Sequence, residues 1–242
     1  LQARVYEVAK KTPLEKARNL SRRFKNNIYL KREDLQEVFS FKIRGAYNKM
    51  QNLSKKQLSK GVITSSAGNH AQGVALSALK LKTKATILMP ITTPMVKVNA
   101  VRELKAEVIL HGDNYDESYL EAQRLSKERK LSFIHPFDDP DVIAGQGTIG
   151  IELLNQLKDP PDAIYIAVGG GGLIAGISIY IKNKWPTTKI IGIEPEDANA
   201  MTRSLKEKKI IELDNVGLFA DGVAVKKVGK ITFDIAQNYV DK

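Results

Sequence analysis

Apolar and polar positions along this chain fall into short apolar runs separated by longer amphipathic stretches. Val62-Ile63-Thr64, residues 85–89, Val108-Ile109-Leu110 and Phe133-Ile134 read as strands. Between them, Ala71, Val74, Ala75, Ala78 and Leu79 recur at spacings of three and four, the period of a helix face. Thr93-Pro94 opens a second helix carrying Val98, Val101 and Leu104. Tyr115, Tyr119 and Ala122 lie on a third, which ends at residues 127–130. The order is βαβαβαβ. Strands that are apolar throughout, rather than alternating, predict a parallel sheet buried on both faces.

A second αβ series follows. Residues 142–157 predict a helix, with Ile149, Leu153 and Leu157 four apart, and Asp159-Pro160-Pro161 breaks it. Residues 163–168 read as a strand, 169–172 as a tight loop and 173–181 as a helix apolar nearly all round, hence central. Residues 190–193 read as a strand, and Val228, Ile231, Ile235 and Tyr239 mark a last amphipathic helix. Upstream, Thr12-Pro13-Leu14 reads as a turn entering a helix, residues 28–32 as a strand, and a helix runs from Lys42 through Tyr47 and Met50 to Leu53. There is no internal repeat and no low-complexity linker. The expected fold class is α/β, two-lobed, with parallel sheet in three layers. Residues 1–48 and 136–242 form the larger expected lobe and 49–135 the smaller, with the site between them, where such sheets bind ligands.

Composition narrows the function classes. The chain has 242 residues, and 43% hydrophobic content is enough to fill real cores. Its formal net charge is +11, but the lysines are scattered, which reads as a solvated surface rather than a nucleic-acid face. A cofactor phosphate or an anionic substrate suits the sign equally well. With no cysteine there is no disulfide framework and no thiolate metal site, which fits the cytoplasm. Leu1-Gln2-Ala3-Arg4 does not open a signal peptide, and the absence of an initial Met points to a trimmed or fragmentary N-terminus. The run 173–181 is too short to span a membrane and ends in Lys182-Asn183-Lys184.

Three stretches carry candidate chemistry. In Ser40-Phe41-Lys42-Ile43-Arg44-Gly45-Ala46, Lys42 lies between apolar neighbours. Such surroundings disfavour the ammonium form, and a neutral amine is what attacks a carbonyl to make a Schiff base. Alone, one lysine in a chain with 38 Lys and Arg residues reads more readily as a solvated side chain. Gly169-Gly170-Gly171-Gly172 joins a strand to a helix, letting backbone N–H groups converge on one anion. A βα turn needs one or two glycines, so four point to a phosphate cradle. The spacing matches neither dinucleotide nor nucleoside triphosphate fingerprints. Residues 65–73, Ser-Ser-Ala-Gly-Asn-His-Ala-Gln-Gly, suit either a carboxylate grip or a plain N-cap. His70, taken alone, reads as a packed or capping histidine, and His70, His111 and His135 form no metal trio by spacing.

Together these three stretches resemble fold-type II pyridoxal-phosphate enzymes, of the tryptophan synthase beta-like kind, and more narrowly threonine dehydratases. Val5-Tyr6-Glu7, Thr12-Pro13-Leu14, Lys31-Arg32-Glu33-Asp34, Ala144-Gly145-Gln146-Gly147-Thr148 and residues 217–225 share the likeness, which runs essentially end to end. Residues 217–225 are most similar to the biosynthetic enzymes of isoleucine formation. The resemblance implies pyridoxal 5'-phosphate as cofactor, bonded covalently to Lys42. It places Asn69 beside the ring hydroxyl, the phosphate on Gly169, Gly170, Gly171, Gly172 and Leu173, and the Gly222 backbone near the ring. Ser66, Ala67 and Asn69 would frame a substrate carboxylate. The implied reaction is dehydration and deamination of L-threonine to 2-oxobutanoate and ammonia, in a cytoplasmic homo-oligomer (dimer or tetramer) with no nucleic-acid or membrane partner.

The sequence also departs from this pattern. Serine racemases of this fold carry a serine at the position of Ala67, and alanine donates no proton. Elimination with little racemisation is therefore expected. Glu194, Glu196 and Asp197 stand where racemase-like relatives place a cation, but the pattern breaks at Ala200, so the acids read as solvated and no metal is assigned. The family continues beyond the position of Lys242, and many biosynthetic members add a regulatory domain, so the chain is expected to be truncated C-terminally. The alternatives are a catabolic serine/threonine dehydratase or another β-elimination or replacement enzyme of this fold, and a truncated, non-catalytic binding protein.

Overall fold

The computed structural model describes residues 4–217 and 219–242. Leu218, inside the 217–225 stretch, and Leu1, Gln2 and Ala3 of the N-terminal reading lie outside the described residues. Strand β1 (Leu14–Lys16) pairs antiparallel with β2 (Tyr29–Lys31), in the register Leu14↔Lys31, with helix α1 (Arg18–Phe24) between them. Pro13 thus leads into a strand, not the expected helix. Pairing with β2 engages the backbone of residues 14–16, and helix begins only at Arg18. Helix α2 (Lys42–Gln51) is followed by α3 (Lys55–Lys60), which the apolar pattern did not announce. α3 is nucleated by a capping box: the Ser54 hydroxyl accepts the Gln57 N–H, and the Gln57 side chain accepts the Ser54 N–H.

The main sheet is built by β3 (Val62–Ser65), α4 (Asn69–Lys80), β4 (Ala85–Met89), α5 (Met95–Glu103), β5 (Glu107–Leu110), α6 (Tyr115–Glu128) and β6 (Ser132–Phe133). All strand pairs are parallel, in the order β5-β4-β3-β6. β3 and β4 are buried along their whole length, as continuous apolar runs require. Val62, Ile87 and Met89 pack with Ala71, Val74, Val98 and Val101 on one face, and Ile63 and Leu88 pack with Ala122 and Leu125 on the other. Leu79 leaves the predicted stripe and stays exposed.

Helix α7 (Pro140–Gln156) leads to a second parallel pair, β7 (Ala163–Ala167) and β8 (Lys189–Ile193), joined by α8 (Gly172–Lys184) and followed by α9 (Ala200–Glu207) and α10 (Lys230–Tyr239). Here burial on both faces fails. Ile166 and Ile190 join Ile174, Ile177, Ile181 and Phe233 in a core, whereas Tyr165 and Ile193 point the other way and are exposed. The helical layer covers one face of this pair. In α10 the buried positions are Thr232, Phe233 and Ala236; Tyr239 of the predicted stripe is exposed. Among the described residues, no helix is long and apolar enough to cross a membrane.

Glycines set how closely α2, α7 and α8 approach. A Cβ on Gly145 would sit 2.5 Å from the Arg44 carbonyl oxygen, and one on Gly176 would sit 2.3 Å from that of Ile143. Gly176→Ala should therefore lower stability by about 1–3 kcal/mol, because steric overlap between packed backbones outweighs the ~1 kcal/mol gain in helix propensity. Urea unfolding reads this directly. An unchanged or higher midpoint would mean that α7 and α8 separate at little cost.

Candidate active site

The strand order locates the site before any side chain is considered. The chain runs β3, β4, β5 in one direction and then returns to place β6 on the other side of β3. Loops leaving β3 and β6 therefore diverge to opposite faces, opening a crevice at their carboxyl ends. Those loops are residues 66–68 and 134–139. Lys42 reaches this crevice: its Nζ donates to the Pro136 carbonyl at 3.0 Å.

Lys42 is the first residue of α2, and its N–H donates to the Ser40 hydroxyl at 3.3 Å. The residue keeps some surface, but its amine lies in the interior, 5.5 Å from the centre of the Phe41 ring. Burial lowers its pKa from the ordinary 10.5 to about 8. The positive end of α2 acts in the same direction. Just upstream, Phe39 adopts φ +55 with its ring exposed, an unfavoured conformation for a bulky residue.

Two residues further on, Arg44 anchors this end of α2. It is fully buried and its guanidinium pairs with Glu33 at 2.8 Å and Glu152 at 2.6 Å. It also donates to the Thr148 hydroxyl and the Lys10 carbonyl. Lys31 meets the second Glu152 oxygen at 2.5 Å, and the Tyr6 hydroxyl donates to the first at 2.9 Å. Burial and the Glu152 charge push the Tyr6 hydroxyl up to about 12. For Glu152, burial acts upward, but its bonds to Arg44 and Lys31 prevail and hold its pKa below the usual value. No role for Arg44 was drawn from the sequence, although a charge among buried helical neighbours was the available signal.

Two uncharged histidines flank the Lys42 amine. His70 Nε2 donates to the Ile134 carbonyl at 3.0 Å, and burial, then the nearby Lys42 charge, lowers its pKa to about 3. His135 Nδ1 accepts the N–H groups of Asp138 and Phe137, and burial lowers its pKa as well. Both rings therefore pack neutral.

The glycine loop lies across the same crevice. A Cβ on Gly170 would fall 2.3 Å from the Phe137 ring, and one on Gly172 would fall 3.0 Å from the Phe137 Cβ. Phe137 thus joins the loop to Pro136, which holds the Lys42 amine. Gly171 caps α8 at φ +93, a conformation that favours glycine. Among the described residues, no N–H group from Gly169 to Ile174 finds a protein acceptor. Six consecutive free donors at a helix start suit an anion.

The remaining expected positions fall on segments next to these. A Cβ on Gly73 would sit 3.1 Å from the Lys42 carbonyl carbon, so that face of α4 packs on Lys42. Asn69, four residues earlier, shares this face and is exposed. Ser66 accepts the Gly68 N–H, and Ala67 is half-buried between them. A Cβ on Gly169 would lie 3.0 Å from Val223 Cα, which brings the Gly222 turn beside the glycine loop. Gly68 and Gly222 both face open space. Glu194 is engaged otherwise: its carboxylate accepts the Met201 and Thr202 N–H groups and the Thr202 hydroxyl at the start of α9.

A buried amine of lowered pKa, a helix start with free donors and two glycines facing open space suit an α/β protein to a phosphorylated aldehyde. The chain belongs to the pyridoxal-phosphate dependent enzyme family, which matches residues 5–242. It is 58% identical over 241 residues to the biosynthetic, chloroplastic threonine dehydratase of Arabidopsis thaliana, covering all of this chain and 41% of that protein. The solved processed form of threonine deaminase isoform 2 from Solanum lycopersicum superposes with a TM-score of 0.96 at 55% identity, over 99% of this chain and 69% of that one. Maize serine racemase gives 0.95 at 33% identity, over 100% and 73%. The chain spans less than half the length of the curated dehydratases it matches, 41–48% for two of them.

Pyridoxal phosphate is the family's cofactor, and the residues here fit it. The free donors of residues 169–174 would take its phosphate and Lys42 its aldehyde, with room for a ring beside Gly68 and Gly222. Because only the neutral amine reacts, the initial rate of aldehyde capture should rise roughly tenfold between pH 7 and pH 9, with a midpoint near 8. Stopped-flow absorbance measures this. A flat profile, or a midpoint at the ordinary lysine value, would contradict the buried-amine reading.

Proposed function

We propose that this chain carries the site of a threonine ammonia-lyase, which converts L-threonine to 2-oxobutanoate and ammonia in isoleucine biosynthesis. The observation that carries the proposal is the Lys42 amine held at the Pro136 carbonyl, one residue before the ring that lies on Gly170. The dehydratase and deaminase names of the most similar proteins support the choice of substrate. When bound, pyridoxal phosphate supplies an electron sink for charge developing at the substrate α-carbon.

The chain's own residues divide the remaining work. Residues 169–173 would hold the phosphate through backbone N–H groups that have no protein acceptor among the described residues. Lys42 Nζ, with a pKa near 8, first serves as the cofactor's anchor and then takes the α-proton. Ser66, Ala67, Asn69 and the free N–H groups at the start of α4 receive the substrate carboxylate, so that the α-carbon faces Lys42. Neutral His70 and His135 wall the amine without competing for its proton. Leu20 and Phe24, one turn apart on α1, and Leu30 on β2 are exposed apolar side chains, which supports a homo-oligomer. The Arabidopsis and Schizosaccharomyces pombe relatives are named chloroplastic and mitochondrial, whereas the bacterial ones carry no organelle name, so the cytoplasmic reading is proposed for a bacterial host alone.

Purified chain mixed with pyridoxal phosphate and L-threonine should release ketoacid, and Lys42→Ala should abolish both the absorbance of covalently bound cofactor and turnover. Turnover by Lys42→Ala near the wild-type rate would refute the assignment. The likeness to serine racemase makes racemisation the second reading. With Ala67 offering no proton, L-serine should yield pyruvate and little D-serine by chiral chromatography. D-serine formed faster than pyruvate would favour the racemase reading.

A further inference from the structure

We propose that Thr232 is a positioning residue for the anion cradle, fixing which way the Gly170–Gly171 peptide faces. The inference rests on the reading that residues 169–173 hold the cofactor phosphate. Thr232 lies in the first turn of α10, distant in sequence from the loop, and is fully buried. Its hydroxyl donates to the Gly170 carbonyl at 2.7 Å, a shorter contact than the 3.1 Å to its other neighbour, the Gly229 carbonyl. The Gly229 N–H approaches the same Gly170 oxygen at 3.4 Å.

A trans peptide points its C=O and N–H in opposite directions. With the Gly170 carbonyl drawn toward α10, the Gly171 N–H must face away from α10, among the free donors of the loop. Nothing local enforces this. Two adjacent glycines allow their shared peptide plane to turn over at little cost. The flipped plane would present a carbonyl oxygen to the anion instead of a donor. Thr232 supplies the missing restraint, and it is packed to do so: a Cβ on Gly171 would fall 2.8 Å from the Thr232 Cβ.

Thr232 is itself held from the other side of the crevice. The Asp138 carboxylate accepts the N–H groups of Lys230, Ile231 and Thr232 at 2.9–3.2 Å, capping α10 from outside. Asp138 follows Phe137, whose ring lies on Gly170, and Pro136, which takes the Lys42 amine. A single loop thus ties the amine, the phosphate donors and the residue that orients them.

The test compares pyridoxal phosphate with pyridoxal, which lacks the phosphate, in equilibrium absorbance titrations of the whole chain. Thr232→Val should weaken pyridoxal phosphate roughly tenfold, the effect of losing one hydrogen-bond restraint, and change pyridoxal less than twofold. Thr232→Ser should restore wild-type affinity, and inorganic phosphate should compete less well in Thr232→Val. Equal weakening of both compounds, or no weakening of either, would overturn the proposal. Should Thr232→Val fail to fold, Thr232→Cys, with its weak donor, carries the same comparison. A wild-type chain that binds both compounds alike would instead sink the phosphate-loop reading itself.

Discussion

Arg44 is a charge with no access to water, and the architecture around the site answers it from two directions. Glu33 comes from the segment after β2 and Glu152 from the C-terminal part of α7, so three distant parts of the chain meet at one guanidinium. Removing one partner of such a buried pair typically costs about 3–5 kcal/mol, because the others are left desolvated and unmatched. That penalty makes the arrangement specific. Lys42, two residues before Arg44 on the same helix, inherits a fixed position from it.

Fixing the backbone of Lys42 allows its side chain to be chemically unusual. An ammonium buried beside neutral histidines has the Pro136 carbonyl and the Phe41 ring face to stabilise it, and among the described residues no carboxylate pairs with it, so burial prevails and its pKa falls to about 8. The energy that disfavours the charged amine is borne by the surrounding fold, through the Arg44 network and the glycine contacts that let α2, α7 and α8 pack at backbone distance. A looser helix crossing would admit water and return the lysine toward its ordinary titration.

The glycine loop shows the complementary strategy. Its donors are backbone groups whose direction depends on peptide orientation rather than on side chains. Glycine provides close approach to Phe137 and the positive φ at Gly171, but it also removes the steric cues that would hold the loop in one state. The restraint must then come from outside, and α10 provides it through Thr232. Rigidity at this site is thus divided between a segment that must be glycine and a helix that must not move.

Much of the scaffold was legible from periodicity. The buried strands β3 and β4, the helix stripes beside them and the glycine turn before α8 all follow from local pattern, since burial on both faces demands apolar runs and tight turns demand glycine. Lys42 and the residue 66–69 loop, each open to a plainer reading by itself, stood out by their likeness to a family. The pattern did not reveal β1, whose three residues become a strand only through pairing with β2, or the open outer face of β7 and β8, which is set by the helices that pack there. Nor could it show that Pro136, Phe137, Asp138 and Thr232 belong to the site. None has an unusual neighbourhood in sequence, and their roles arise from contacts between residues far apart in the chain, up to 94 positions for Lys42 and Pro136. Residue order determined which elements form, and through its likeness to a family it singled out one amine. Tertiary packing alone decided how deeply that amine is buried and which way the phosphate donors face, because desolvation and peptide orientation depend on neighbours brought in from elsewhere in the chain.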